Sequence, residues 1–521
     1  MKPGTSRRWW ALGALSLSLM AVGLDMTVLN TALPTLSARL HASTSQLQWF
    51  TDAYNLVLAA VLLPAGLLGD RFGRKKLVIG ALVVFGGSSA WCAYSTSSAE
   101  LTAARAALGI GASFLIPLCV SVLLVLFEPH ERQRAVTYLM TGNMVGIPLG
   151  PIVAGLLLRH FWWGSVFLIN VPLVLAGLIA VTALVPESRN PRASRLDLAG
   201  VLVSAVGMIA VTYGVIQAGD HGWGSPRTLG PLAGGLVVLA GFVPLERFVT
   251  RSRDPLVDIG LFRSRGFTWG AVLATLVSFA LFGMMFNTPQ YLQAVLGADA
   301  LGTGLRLLPM LVGLTAGMQL ANRIAPRTGP KIPVALGFAA TAAGLLTGAT
   351  TSVGSGYGFT AVWLVIFGVG LGIAMPTSML AAVGSLDKER GGAGSATVFA
   401  LRQLGSSIGV AVLGTLVNSS YRAHVAVAGL PGPMADAIKA SASSGAAVAR
   451  RLGRLDLLAS VRTAFVHGMD ITLWITGALG VLSIGLALAF LPGLSRQPAT
   501  VPLPAEREPA RQDEMGSITV D

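Results

Sequence analysis

Charge is scarce in this chain. Only 12% of its 521 residues are Asp, Glu, Lys or Arg, about half of what a soluble domain carries, which argues against a water-soluble globular fold. Cysteine is scarcer still. Cys92 and Cys119 both lie inside apolar runs, so neither a disulfide framework nor a thiolate metal site is implied. The six histidines (His41, His130, His160, His221, His424 and His467) are scattered through connecting segments without an H-E-x-x-H pattern. There is no Walker A sequence, which argues against ATP as an energy source, and Gly368-Val369-Gly370-Leu371-Gly372 follows no strand. An enzyme, a metal and a bound cofactor are therefore not expected. Acids are outnumbered, 23 to 37, giving a formal charge of +14. The bases fall in short loops between apolar stretches, with no basic domain and no aromatic platform, so a nucleic-acid partner is not expected either.

What the chain has instead is long hydrophobic runs. The composition is 53% hydrophobic, and runs of about 20 apolar residues can cross the hydrocarbon core of a bilayer. Fourteen are read at roughly 10–32, 47–67, 77–95, 102–124, 135–158, 165–185, 197–217, 228–248, 267–290, 304–325, 331–350, 357–382, 393–418 and 470–492. The amino terminus (Lys2, Arg7, Arg8, then an apolar run) imitates a signal peptide. It lacks a small-residue cleavage site and continues through Asp25, so an uncleaved first span is expected. Most Lys and Arg fall on the side of the amino terminus, and six of the nine on the opposite side lie in one long loop, 419–469, of a kind that escapes the positive-inside rule. Both termini are therefore expected in the cytoplasm, with the protein multi-pass in the inner (cytoplasmic) membrane. The Pro- and charge-rich tail, 495–521, is expected to be disordered.

The second and third runs are joined by Gly66-Leu67-Leu68-Gly69-Asp70-Arg71-Phe72-Gly73-Arg74-Lys75-Lys76. So tight a reversal needs glycine, and Gly69 and Gly73 can take positive φ without strain. Asp70 is placed to accept hydrogen bonds from neighbouring helix ends. This segment resembles the signature loop G-x-L-a-D-r-x-G-r-k of the major facilitator superfamily, with Gly69 at the "a" position. A weaker echo, Asn322-Arg323-Ile324-Ala325-Pro326-Arg327-Thr328-Gly329, ends the tenth run. The resemblance implies an all-α membrane protein of two six-helix halves, repeated about an axis along the membrane normal. Runs 7 and 8 would be inserted between them, as in the fourteen-helix drug:proton antiporter branch. The expected division is 1–190, a linker 191–260, and 261–494 including the extracellular loop 419–469.

Asp25 stands in the first run. A charge there costs about 2.5–3.5 kcal/mol on insertion scales, and such residues face cavities and are functional by default. Burial disfavours the charged form of a carboxyl and so favours proton binding. Asp25, Thr27, Asn30, Ala32, Leu33 and Pro34 match the first-span motif l-D-x-T-v-v-N-v-A-L-P of fourteen-helix drug exporters. Arg105, at about the same depth in the fourth run, is similar to the family's span-4 arginine linked to proton transfer. An Asp25–Arg105 pair can be a switch broken by protonation or a permanent strut. Asp52 is either a second titrating site or an acid favoured at a helix's first turn. Trp49, Phe50 and Tyr54 either line a cavity for aromatic or cationic compounds or anchor a span end.

In the fifth run Gly142, Gly146, Gly150 and Ala154 recur every four residues, making a smooth ridge for a close helix partner. Pro148 and Pro151 imply a bend. Gly146, Gly150, Pro151, Ala154 and Gly155 resemble the antiporter motif g-x-x-x-G-P-x-x-G-G, which implies export and a sliding face. The segment Trp163-Gly164-Ser165-Val166-Phe167-Leu168-Ile169-Asn170-Val171-Pro172 resembles the quaternary-ammonium and methyl-viologen exporters. Loop 419–469, where Leu455, Leu458, Val461 and Phe465 follow a helical period, looks like their extracellular helical hairpin.

The carboxy-terminal half departs from that subgroup. Where dication exporters place acids, the thirteenth run has Arg402, Gln403 and Ser406, and the tenth has none. Strong preference for dications is therefore not expected. Asn30, Tyr54, Asn143, Arg402 and Gln403 are the candidate cavity residues. Asp25, Arg105 and Asp52 are the candidates for proton coupling, and Gly66, Asp70, Arg71, Gly73, Arg74, Gly146, Gly150 and Pro151 for the conformational gate. The expected function is proton-coupled efflux of small amphiphilic drugs or natural products by a monomer working by alternating access. A dedicated exporter of one endogenous compound and a non-transporting membrane sensor are the rivals.

Overall fold

The computed structural model describes residues 5–189, 197–249, 258–386 and 391–492, and every regular element among them is helical. The first seven helices are α1 (Thr5–Leu40), α2 (Thr44–Phe72), α3 (Arg74–Tyr94), α4 (Ser98–Leu126), α5 (Pro129–His160), α6 (Ser165–Leu168) and α7 (Asn170–Leu184). Next come α8 (Leu198–His221) and α9 (Pro226–Val249), then α10 (Arg265–Ala294), α11 (Ala300–Arg306), α12 (Leu308–Thr328) and α13 (Lys331–Gly348). The last five are α14 (Tyr357–Val383), α15 (Gly391–His424), α16 (Gly432–Ala440), α17 (Ala442–Arg451) and α18 (Leu455–Phe490). Thirteen helices are long and apolar enough to cross a membrane, α6–α7 and α11–α12 each counting as one, and α5 adds a fourteenth as a pair of segments bent by 42° between Ile147 and Leu149. The expected tail, 495–521, lies outside the described residues, as do the side chains of Asp70 and Asn143.

Helices overrun the apolar windows because backbone bonding continues past the hydrocarbon. Their ends are set by local chemistry. The Ser43 hydroxyl accepts from the Gln46 N–H while the Gln46 side chain accepts from the Ser43 N–H, a reciprocal cap that starts α2 at Thr44. The Ser97, Ser264 and Asp299 side chains cap α4, α10 and α11 in the simpler way. The α2–α3 reversal is made at Gly73 alone, with φ +110°. Gly69, expected to share that role, is helical; a Cβ there would overlap Leu118, so close packing of α2 on α4 is its reason.

Two apolar cores fill the N-terminal half. One runs from Ala11 to Val185 along α1–α5 and α7, and the other surrounds Leu24–Leu36 of α1. A third core, Leu273–Leu491, fills the C-terminal half. α8 and α9 pack on each other outside the seam where α2 meets α15.

Within the expected loop 419–469, two short helices, α16 and α17, lie between the connecting segments 425–431 and 452–454. The segment from Leu455 is the beginning of α18, continuous with the last span. Its buried face carries Leu457, Val461, Ala464 and Phe465, while Leu455 is exposed, so the apolar register is set by Leu457.

Hydrogen bonds between the halves gather on the face opposite the 69–76 junction, here called the far face. Gln293 Nε2 donates to the Thr31 carbonyl (3.1 Å), Ser37 and Ser441 hydroxyls meet at 2.7 Å, and Thr44 Oγ1 donates to the Ala440 carbonyl (3.2 Å). Deeper in, Gln48 Nε2 donates to the Ala411 carbonyl (2.8 Å). The inserted α8 joins this closure. Its Asp220 accepts from Ser45 of α2 (2.6 Å) and from Arg422 of α15 (2.9 Å), bridging the two halves.

Candidate functional site

Asp25 and Arg105 are both buried and paired, with Arg105 Nη1 2.7 Å from Asp25 Oδ2. The two come from α1 and α4, at matching depth as the sequence implies. A bare pair would not repay the loss of hydration; further hydrogen bonds must satisfy what is left. They are present. Arg105 Nε donates to the Phe50 carbonyl (2.9 Å), and its guanidinium lies 4.5 Å from the centroid of the Tyr54 ring. The other carboxylate oxygen, Asp25 Oδ1, accepts from Asn170 Nδ2 (3.1 Å). Tyr54, read in sequence as a cavity residue, is fully buried beneath Arg105 and belongs to the charge pair in this conformation.

The glycine ridge of α5 lies directly on α1. A Cβ at Gly146 would strike the Met20 carbonyl and the Leu24 nitrogen, and one at Gly150 would strike Thr27 Oγ1 and the Leu24 carbonyl. Thr27 Oγ1 donates to the Ile147 carbonyl at 2.7 Å, where the helix bends. Side-chain-free contact lets two backbones approach this closely. Toward the far face the same helix meets α11. A Cβ on Gly155 would touch Ala300 and Leu301, and Gly304 sits against the Pro151 carbonyl.

Asp52 is two turns inside α2, since the Ser43 cap starts the helix at Thr44. The first-turn dipole explanation therefore fails for it. It is buried, its Oδ1 accepts from Ser407 of the other half (2.9 Å), and its Oδ2 has no partner among the described residues. Asn30 is buried and donates to the Met26 carbonyl at 3.5 Å, its Oδ1 unpartnered among the described residues. Gln403 is buried, its Nε2 likewise unpartnered among the described residues. Arg402 is half-buried, donates to Ser278 Oγ (3.1 Å), lies 5.8 Å from the Phe399 ring centroid and makes no ion pair among the described residues. These polar groups are not gathered into one pocket with Asp25. Gln48 and Asp52 face the α2–α15 seam, and Arg402 faces α10.

At the 69–76 junction, Gly66 packs on Pro117 and Arg71 is exposed over Phe72. A residue that sequence reading passed over is Glu187. Its carboxylate accepts from the Lys75 N–H (3.2 Å) and the Lys76 N–H (3.3 Å), capping α3 from the exit of α7. The Arg74 N–H donates to the Ser188 carbonyl (2.9 Å), and Lys75 Nζ to the Thr182 carbonyl (2.7 Å). Asn170 was likewise missed as a site residue; an amide inside an apolar run was its available signal.

The family model described as Major Facilitator Superfamily matches residues 15–410. The tetracenomycin C resistance and export protein of Streptomyces glaucescens is 33% identical, covering 92% of this chain and 91% of that protein. The multidrug efflux pump LfrA of Mycolicibacterium smegmatis is 35% identical, with 91% and 94% covered. The methyl viologen resistance protein SmvA of Salmonella typhimurium is 30% identical, with 92% and 98% covered. Among solved structures, a bacterial homologue of the human lysosomal transporter Spinster, inward-facing and unoccupied, superposes with a TM-score of 0.67 at 14% identity, covering 93% of this chain and 97% of that one. With a buried Asp–Arg pair on the first and fourth spans and a glycine ridge packed on the first, this chain belongs to the major facilitator superfamily, with two six-helix halves and two inserted helices, resembling its fourteen-helix drug:proton antiporter branch.

Proposed function

We propose that the protein is a multidrug exporter that moves small amphiphilic compounds out of the cell in exchange for protons. The observation that carries the reading is the buried Asp25–Arg105 pair, set on the helix against which the α5 ridge lies. The relatives named for drug efflux support the substrate class. The distribution of bases supports cytoplasmic termini and a place in the inner membrane, which makes the 69–76 junction cytoplasmic and the far face extracellular. The far-face bonds then correspond to an inward-facing arrangement. We take the halves as 1–190 and 261–494 with 191–260 between them, and the working unit as a monomer.

In the cycle, the protein rocks outward and a proton reaches Asp25. A neutral carboxyl no longer holds Arg105 by charge, the α1–α4 contact loosens, and the return inward is favoured. Substrate binding inside promotes release of the proton to the cytoplasm. Moving one charge through 100 mV is worth about 2.3 kcal/mol, enough to sustain a substantial substrate gradient per proton. Asp52, at the seam, is the second candidate for titration.

A dedicated exporter of a single compound shares this chemistry and is favoured by the tetracenomycin relative. A resistance profile of a drug-sensitive host expressing the chain separates the two: protection against several unrelated amphiphiles supports the multidrug reading, and protection against one alone overturns it. Dye efflux from the same cells should collapse when the pH gradient is dissipated; efflux that persists refutes proton coupling.

A further inference from the structure

Asn170, the first residue of α7, is fully buried. Both of its Nδ2 protons are used, one toward Asp25 Oδ1 (3.1 Å) and one toward Ser89 Oγ of α3 (3.1 Å). Its Oδ1 is buried with no hydrogen-bond partner among the described residues. The Asp25 carboxylate is thus held at one oxygen by a cation and at the other by a neutral amide. Tyr54 of α2 and Cys92 of α3 are titratable groups that interact electrostatically with Asp25. α5 presents glycine backbone to this stretch of α1.

A carboxylate only accepts hydrogen bonds, whereas a protonated carboxyl must also donate one. Arg105 can serve the first form and not the second, because a guanidinium has no acceptor. An amide can serve both. Its terminal torsion is two-fold, so half a turn exchanges the NH2 and the oxygen, and the oxygen of Asn170 is the unpartnered atom. We propose that Asn170, oriented by Ser89, is the positioning residue of the proton site: its amide donates to ionised Asp25 and, turned over, accepts from the protonated acid. This rests on the reading of Asp25 as the proton carrier. It adds that the acid keeps a partner when Arg105 lets go, so the O–H of the protonated carboxyl is not left orphaned.

A hydrogen bond to an ion is roughly twice as strong as one between neutral groups, so Asn170 favours the ionised form on balance. Asn170→Ala should therefore raise the proton affinity of Asp25 about tenfold, moving its titration midpoint up by about one pH unit. Asn170→Asp, which adds a like charge, should move it further in the same direction. The measurement is infrared difference spectroscopy of the purified full-length protein against pH, following the carboxylic C=O band that disappears in Asp25→Asn. Ser89→Ala, a smaller change, should shift the midpoint upward by a lesser amount, and Asn170→Ser should bring it back toward the wild-type value. An Asn170→Ala midpoint equal to that of the wild type overturns the proposal. If Asn170→Ala does not fold, an unshifted Ser89→Ala overturns it in its place. Should no Asp25 band titrate in the wild type, the proton-carrier reading fails and this inference with it. A titrating, Asn170-sensitive band in a protein that exports nothing leaves this inference standing and refutes only the proposed function.

Discussion

Replacing Asp25 with Asn keeps the shape of the side chain and one oxygen for Arg105, while removing the charge and the titratable proton. The pair is buried with N and O at 2.7 Å. With charge centres about 4 Å apart, the attraction is about 4 kcal/mol at an effective dielectric near 20. Stripping one partner from a buried pair costs about 3–5 kcal/mol, mostly because the other charge is left uncompensated. Arg105 retains its bond to the Phe50 carbonyl and its place over Tyr54, so the lower end of that range is expected. A protein in proteoliposomes should then lose drug uptake driven by an imposed pH gradient, falling to background.

Gradient-independent counterflow of drug should survive, because cavity and rocking motion are intact. That contrast separates a switch from a strut. If Asp25 only props α1 against α4, the substitution should abolish both activities, and adding Arg105→Gln should restore both by removing the stranded charge. Restoration of gradient-driven uptake in that double variant, or normal uptake in Asp25→Asn alone, refutes the assignment.

Gly150→Val should abolish transport while leaving drug binding measurable. Its side chain would have to displace Thr27 and the Leu24 backbone, an overpacking that costs about 1–3 kcal/mol or more; normal export would show that α1 and α5 part easily. Asp70→Ala should impair transport by shifting conformational populations more than substrate affinity, and an unaltered distance distribution between labels on the 69–76 junction and α12 would count against a gate. Asp220→Asn weakens the bridge from α8 to Ser45 and Arg422, so labels on the far ends of α2 and α15 should sit farther apart in the resting protein; identical distances would make the bridge ornamental. Arg402→Glu should shift the resistance profile toward dications. Two unit charges 6 Å apart interact by about 2.8 kcal/mol at an effective dielectric of 20, roughly a hundredfold in affinity, and an unchanged profile would place Arg402 away from the substrate.

Much of this was legible in the sequence because a bilayer leaves few solutions. Apolar runs of fixed length gave the spans, and an acid and a base at equal depth gave the Asp25–Arg105 pair. The four-residue glycine spacing marked a close partner for α5, though not that the partner is α1. What escaped is long-range or non-periodic. Asn170 reaches Asp25 across 145 residues, and no spacing rule connects them. Glu187 reads as a loop acid until the fold brings it to the Lys75 and Lys76 amides. For Asp52 the sequence left two readings open, because hydropathy marks an apolar run and not a helix start; the Ser43–Gln46 cap starts α2 at Thr44 and removes the first-turn reading. At α18 the period was visible but its phase was not, since burial there is set by packing against α15 and α17.

On the proposed function, the placement of chemistry and motion on one helix would let a single proton matter to so large a movement. Asp25 and Thr27 are two residues apart on α1; one binds Arg105 of α4, and the other binds the Ile147 carbonyl where α5 bends. Between α1 and α5 there is backbone against backbone at Gly146 and Gly150, with no long side chain to absorb a displacement by changing rotamer. Packed interfaces of this kind are bistable rather than continuously deformable. Under that proposal, loosening Arg105 from α1 would be answered at the α5 contact, and α5, packed on α11 of the other half through Gly155, Pro151 and Gly304, would carry it across. A cavity-lining acid elsewhere would bind a proton as well, but it would lack this rigid route to the opposite half.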